Sequence, residues 1–225
     1  MNAPSVDDRR RHMAVLAAAI KVCRLCPGLN IAGGAESAPG YGAVDSPVAL
    51  VGQSLCGKLC MDSQIPFTGG SGQLLDQSFE RARIEKRDVF ITNVVHCHPP
   101  QNRESLDTWV SNCSPYLNLE LKIVRPRLVI GLGQDAKHAL ERLYDRQAQK
   151  LERPCQSLDL DVIDNAGPKL LFTEHPSWIK RQHSDQLESD YVASLAAAFT
   201  RAMIRTCGSR AGVPSRKMIC KESEF

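Results

Sequence analysis

The chain has 225 residues, enough for one α/β domain with a filled core, and its 43% apolar and 24% charged content is that of an ordinary globular protein. No apolar run approaches the roughly 20 residues needed to cross a bilayer, which sets aside an integral membrane protein. A net charge of +3 permits an anionic partner without requiring one, and nine cysteines without a secretory signal point to metal binding and buried thiols in a cytoplasmic protein rather than to a disulfide framework.

Residues 8–22 carry a helical apolar pattern, with Asp7 and Asp8 near its start. CRLCPGLN turns away from it, and residues 31–46, rich in Gly, Ala and Ser, read as a long loop. PVALVG (47–52) is a continuous apolar run that suits a buried parallel strand. A polar loop holding Cys56 and Cys60 leads into IPFTGGSG, after which QLLDQSFERARI has helical spacing. DVFITNVV (88–95) is the next strand, and ESLDTWVSNCSPYLNLELKIV a helix with one proline interruption. RLVIGLG (127–133) is a third strand, followed by the helical QDAKHALERLY. Residues 159–173 look like a hairpin feeding a fourth main strand, and QLESDYVASLAAAFTRAMIR closes the fold as a long helix. Strands alternating with helices predict a three-layer α/β/α fold around a mainly parallel four-stranded sheet, with ligands at the carboxyl ends of the strands. Residues 1–205 are expected to form a single domain, and residues 206–225, which lack an apolar period, a flexible tail.

Cys23 and Cys26 form a C-x2-C just after the first helix; Cys97 ends a strand and Cys113 lies in the following helix. Four thiolates suit either tetrahedral zinc or an iron–sulfur cluster, and spacing alone does not decide between them. A second set, Cys56, Cys60, His96 and His98, is less attractive, because residues 96 and 98 point the same way only if extended geometry survives up to Pro99. Cys56, Cys60, Cys155, Cys207 and Cys220 are otherwise read as ordinary thiols.

Four segments end at one predicted rim: GQSLCG, PFTGGSGQLLD, NVVHCHPPQNR and HPSW. In this order and at these spacings the chain resembles the family 4 uracil-DNA glycosylases, from about Cys23 to Arg181, and the middle two motifs are nearly literal matches. The resemblance implies a 4Fe–4S cluster on Cys23, Cys26, Cys97 and Cys113, and a monomeric, cytoplasmic enzyme that flips uracil out of DNA and hydrolyses its glycosidic bond. It implies Gly52, Gln53, Phe67, Asn93 and His175 around the base. Phe67 would stack on it, Asn93 would read its Watson–Crick edge, and His175 would donate to its O2 as negative charge gathers there. It further implies Gly70 and Ser71 at a helix start, with Ser177, Trp178, Lys180 and Arg181, as contacts to DNA.

The first motif departs from the family. Gln53 stands where the family has an acidic residue, and Leu55 where it has a proline. A glutamine can hold the attacking water but cannot be its base, so Asp62 is the nearest replacement if its loop folds inward. The alternative from this departure is a catalytically weakened lesion-binding protein, or a covalent abasic-site binder of the same fold.

Overall fold

In a computed structural model of the chain, residues 4–31, 36–153 and 167–204 are described. Ser5 opens the first helix, α1 (Val6–Val22): its hydroxyl accepts the Asp8 N–H while the Asp8 carboxylate accepts the Ser5 N–H, a reciprocal cap. Three strands with apolar cores follow: β1 (Val48–Ser54), β2 (Phe90–Val95) and β3 (Leu128–Leu132). Between β1 and β2 lie the short α2 (Lys58–Ser63) and α3 (Gln73–Arg81). Helix α4 (Asp107–Val124) joins β2 to β3, and α5 (Gln134–Tyr144) follows β3. Then come β4 (Gln149–Lys150), β5 (Lys169–Thr173), the short α6 (Pro176–Arg181) and α7 (Asp185–Met203).

The strands form one parallel sheet in the order β2-β1-β3-β5-β4. Side chains alternate across it. Val48, Leu50, Leu128 and Ile130 pack with Leu75, Phe79, Leu195 and Phe199 of α3 and α7. Ala49, Val51 and Val129 pack with Leu16, Ile20, Leu117, Leu121 and Leu140 of α1, α4 and α5 on the other face. Helices on both faces make the strands apolar throughout, which is why each reads as a continuous run. No helix among the described residues is long and apolar enough to cross a membrane.

Three features differ from expectation. The sheet has a fifth strand, β4, whose two residues are exposed and carry no apolar pattern to announce it. Helix α4 runs unbroken through Pro115, which lies on its exposed side, where water can serve the carbonyl that the proline leaves without a donor. The HPSWIKR segment, to which no element is assigned from the sequence, is a short helix capped by His175. The hairpin expected before the fourth main strand falls largely on residues 159–166, and the tail on 206–225; both lie outside the described residues.

A buried carboxylate ties the α4 face together. Glu120 is fully buried and accepts the Thr92 hydroxyl at 2.5 Å and the Gly40 N–H at 2.7 Å, with the His96 Nε2 at 3.1 Å. Burial alone would hold the His96 ring neutral, but the Glu120 carboxylate against it pushes its pKa up to about 10. Removing one member of such a pair strands the other charge in the core. Replacing Glu120 by leucine is expected to cost about 3–5 kcal/mol, read as a lower urea midpoint, and the His96→Leu/Glu120→Leu double variant to recover much of that loss.

Candidate functional site

The carboxyl ends of β1, β2 and β5 converge on an open cavity of about 640 Å³. Parallel register fixes Asn93 in its lining, with Gly52 of β1 opposite Asn93 of β2. A Cβ at position 52 would come within 2.5 Å of the Asn93 Oδ1 and 2.6 Å of the Phe67 Cζ, so only glycine lets that amide and that ring meet. Asn93 is 3% exposed, and its Oδ1 is buried with no hydrogen-bond partner. A buried acceptor left unpaired in this way is costly unless a ligand supplies the missing donor.

Phe67, 6% exposed, forms the wall beside Asn93 with its backbone in the left-handed region at φ 56°. That conformation costs a non-glycine residue about 1–3 kcal/mol, and such outliers gather where a fixed geometry is needed. Its ring centroid lies 5.8 Å from that of His175.

His175 is the N-cap of α6, and its Nδ1 accepts the Ser177 N–H at 3.2 Å and lies 2.7 Å from the Ser177 Oγ. With Nδ1 accepting, the ring hydrogen sits on Nε2. Burial, and to a lesser degree the Arg181 cation, lower the His175 pKa to about 4, so the ring is neutral near pH 7. Gly133, at φ 97°, leaves room for it: a Cβ there would sit 3.2 Å from the His175 Cβ. The site therefore presents a neutral N–H donor on a short, firmly capped helix.

Gln53 lines the cavity, as do Gly70, Ser71, Ser177 and Arg181. No carboxylate is among the described lining residues. Asp62 does not replace the missing acid: it is exposed and paired with Lys58 at 2.9 Å. Lys180 is turned away, held by Glu188 at 2.6 Å, and Trp178, 41% exposed, does not line the cavity. Two cations missed by sequence reasoning, Lys58 and Arg103, stand on the rim. Arg103 closes the NVVHCHPPQNR motif and was legible there; Lys58 had no such mark.

Cys56 and Cys60 also line the cavity and are joined by a disulfide, where ordinary thiols were expected. Cys56 lies just before the short helix α2 and Cys60 within it, a closeness that their spacing permits but does not reveal. The alternative set of Cys56, Cys60, His96 and His98 does not form. His96 turns inward to Glu120, and the His98 Nδ1 bonds the Leu55 carbonyl at 2.9 Å.

Cys23, Cys26, Cys97 and Cys113 are all free thiols, and three of them are buried. Burial, then the neighbouring Cys113, Cys26 and Cys23, push the Cys97 pKa up to about 12. Burial and the same neighbours also raise Cys26, against the opposing Asn112 amide 3.5 Å from its sulfur. The four sulfurs thus share one electrostatic neighbourhood. Among the described residues, however, no group of His, Cys, Asp or Glu is gathered so as to hold a single metal ion.

A family model described as the uracil DNA glycosylase superfamily matches residues 39–199. A type-4 uracil-DNA glycosylase of Pyrobaculum aerophilum is 34% identical over 180 residues, covering 80% of this chain and 89% of that protein. One of Thermotoga maritima is 28% identical over 180 residues, covering 80% and 88%. A type-5 uracil-DNA glycosylase of Pyrobaculum aerophilum is 35% identical over a shorter span, 42% of this chain and 38% of that protein. This likeness, running along most of a chain whose strand ends converge on one cavity, establishes that the chain belongs to the uracil DNA glycosylase superfamily.

Proposed function

We propose that the protein is a monofunctional uracil-DNA glycosylase, which hydrolyses the bond between a flipped-out uracil and its sugar and leaves an abasic site. The observation that carries this reading is the buried, unpartnered Asn93 Oδ1 beside the Phe67 ring. Uracil presents an N3–H to that oxygen and an O4 acceptor to the Asn93 amide N–H. Cytosine presents an acceptor at N3 and would leave the oxygen unpaired, a mismatch that buried polar sites reject strongly. Stacking on Phe67 would offset part of the few kcal/mol needed to unstack the base.

As the C1′–N1 bond lengthens, the sugar becomes cationic and charge collects on the uracil ring. A neutral His175 donating through Nε2 stabilises that charge without first having to lose a proton. Gln53 would hold the attacking water through its amide; with no carboxylate among the described lining residues, the chemistry rests on stabilising the departing base rather than on general-base help. Lys58, Arg103 and Arg181 at the rim, with Gly70 and Ser71 at the start of α3, suit the phosphates flanking the flipped nucleotide. Ser177 serves His175, and in this reading its part is to set the tautomer. Neither His96 nor His98 lines the cavity, so neither is placed for a covalent reaction with the abasic site.

Cys23, Cys26, Cys97 and Cys113 would hold a 4Fe–4S cluster. Four undisulfided thiols, close enough for Cys23, Cys26 and Cys113 to shift the ionisation of Cys97, offer the all-thiolate donor set that such a cluster takes. When bound, the cluster supplies a cross-link between the end of α1, the end of β2 and α4. Protein purified without air is expected to be brown, with iron and sulfide in equal amounts; a colourless, zinc-bearing protein that is fully active would refute this.

Incubation with a uracil-containing oligonucleotide followed by alkali is expected to break the strand at the uracil. An intact strand would reject the enzyme reading. Replacing His175 by alanine is expected to slow excision by about 10²–10³-fold, and replacing Gln53 by alanine to slow it less. The reverse order would overturn the roles given to them.

A further inference from the structure

Lys86 lies outside the cavity, in the turn that leads into β2, yet its ammonium reaches back to the backbone of the cavity wall. Its Nζ donates to the Phe67 carbonyl at 2.8 Å across 19 residues of sequence, and its side chain is only 18% exposed. The same carbonyl faces Gly72, where a Cβ would come within 2.0 Å of the oxygen. Phe67 is therefore pinned from behind. A glycine gives its carbonyl space, a cation holds that carbonyl, and the left-handed backbone then throws the ring forward over Gly52 and Asn93.

The partner beyond Lys86 does not explain this arrangement. Asp76 lies 3.3 Å from the Nζ, but its side chain is 51% exposed, which makes the pair a weak surface contact. The Phe67 carbonyl is the shorter and more buried contact. A charged donor on an oxygen that would otherwise be poorly solvated is the stronger of the two interactions.

From this geometry we infer that Lys86 is a positioning residue for base stacking: its bond to the Phe67 carbonyl keeps the ring in the orientation that receives the flipped base. The inference rests on the uracil-excision reading and deepens it. It separates recognition into the residue that touches the base and one behind it that makes the touch possible.

The test uses the full chain. KM and the single-turnover rate on a uracil-containing oligonucleotide, inhibition by free uracil, and the thermal midpoint are measured for wild type, Lys86→Met, Lys86→Gln, Lys86→Arg and Asp76→Asn. Lys86→Met is also made in a Phe67→Ala background. Lys86→Met is expected to raise KM and weaken free-uracil inhibition by about tenfold, with a smaller change in the single-turnover rate. Lys86→Arg restores most of the loss, Lys86→Gln is intermediate, and Asp76→Asn stays within about twofold of wild type. With no ring to place, Lys86→Met has little further effect on the Phe67→Ala protein, a coupling that a generally stabilising residue would not show. If Lys86→Met does not fold, the same comparisons are made with Lys86→Gln. Unchanged uracil inhibition in a folded Lys86 variant, or an equal loss with and without the Phe67 ring, overturns the inference while leaving the glycosylase reading intact. A wild type that neither excises uracil nor is inhibited by it overturns both.

Discussion

A missing side chain governs this site. Gly52 sits where β1 and β2 pair, directly opposite Asn93, and its lack of a Cβ leaves the space that the Asn93 amide and the Phe67 ring share. Everything else in the cavity is arranged around that gap. Parallel pairing sets the Asn93 position, the left-handed turn at Phe67 brings the ring, and α6 brings His175 from the end of β5. The sheet is rigid because both faces are buried, so the gap has a fixed shape before any ligand arrives.

The second constraint is the state of His175. Its Nδ1 is used up by the cap of α6, and burial keeps the ring neutral, so what remains is one aimed N–H. Where the superfamily resemblance leads one to expect an acid in the first motif, this chain has Gln53, and no carboxylate lines the described cavity to take its place. Under the proposed function the leaving base is helped electrostatically, and the rim cations Lys58, Arg103 and Arg181 would meet the DNA backbone. Glu120 works at a distance from this chemistry, holding α4 against β2 and so keeping Cys113 near Cys97.

Much of this was legible in the sequence because the signals were local. Continuous apolar runs marked β1, β2 and β3, and QDAKHALERLY marked α5 to the residue. Gly52, Phe67, Asn93 and His175 lay in motifs whose order survives intact. What was missed depends on tertiary proximity. The exposed β4 has no pattern of its own, and the joining of Cys56 to Cys60 depends on how a polar loop turns into the short helix α2. Lys86 bonds a carbonyl 19 residues away, a contact made by the fold alone. Asp62 and Lys180 were offered roles by their charge, and both are occupied by partners one helical turn or one helix away.

The gap at residue 52 shapes the site, and one substitution closes it. Gly52→Ala adds a single methyl where 2.5 Å separates it from the Asn93 Oδ1. Its uracil-excision rate can be compared with wild type after circular dichroism has shown the same fold. The expected result is a folded protein whose rate has fallen by at least about tenfold, the equivalent of about 1.4 kcal/mol of crowding in the base slot. A folded Gly52→Ala protein that excises uracil at the wild-type rate would contradict the claim that this glycine makes the pocket.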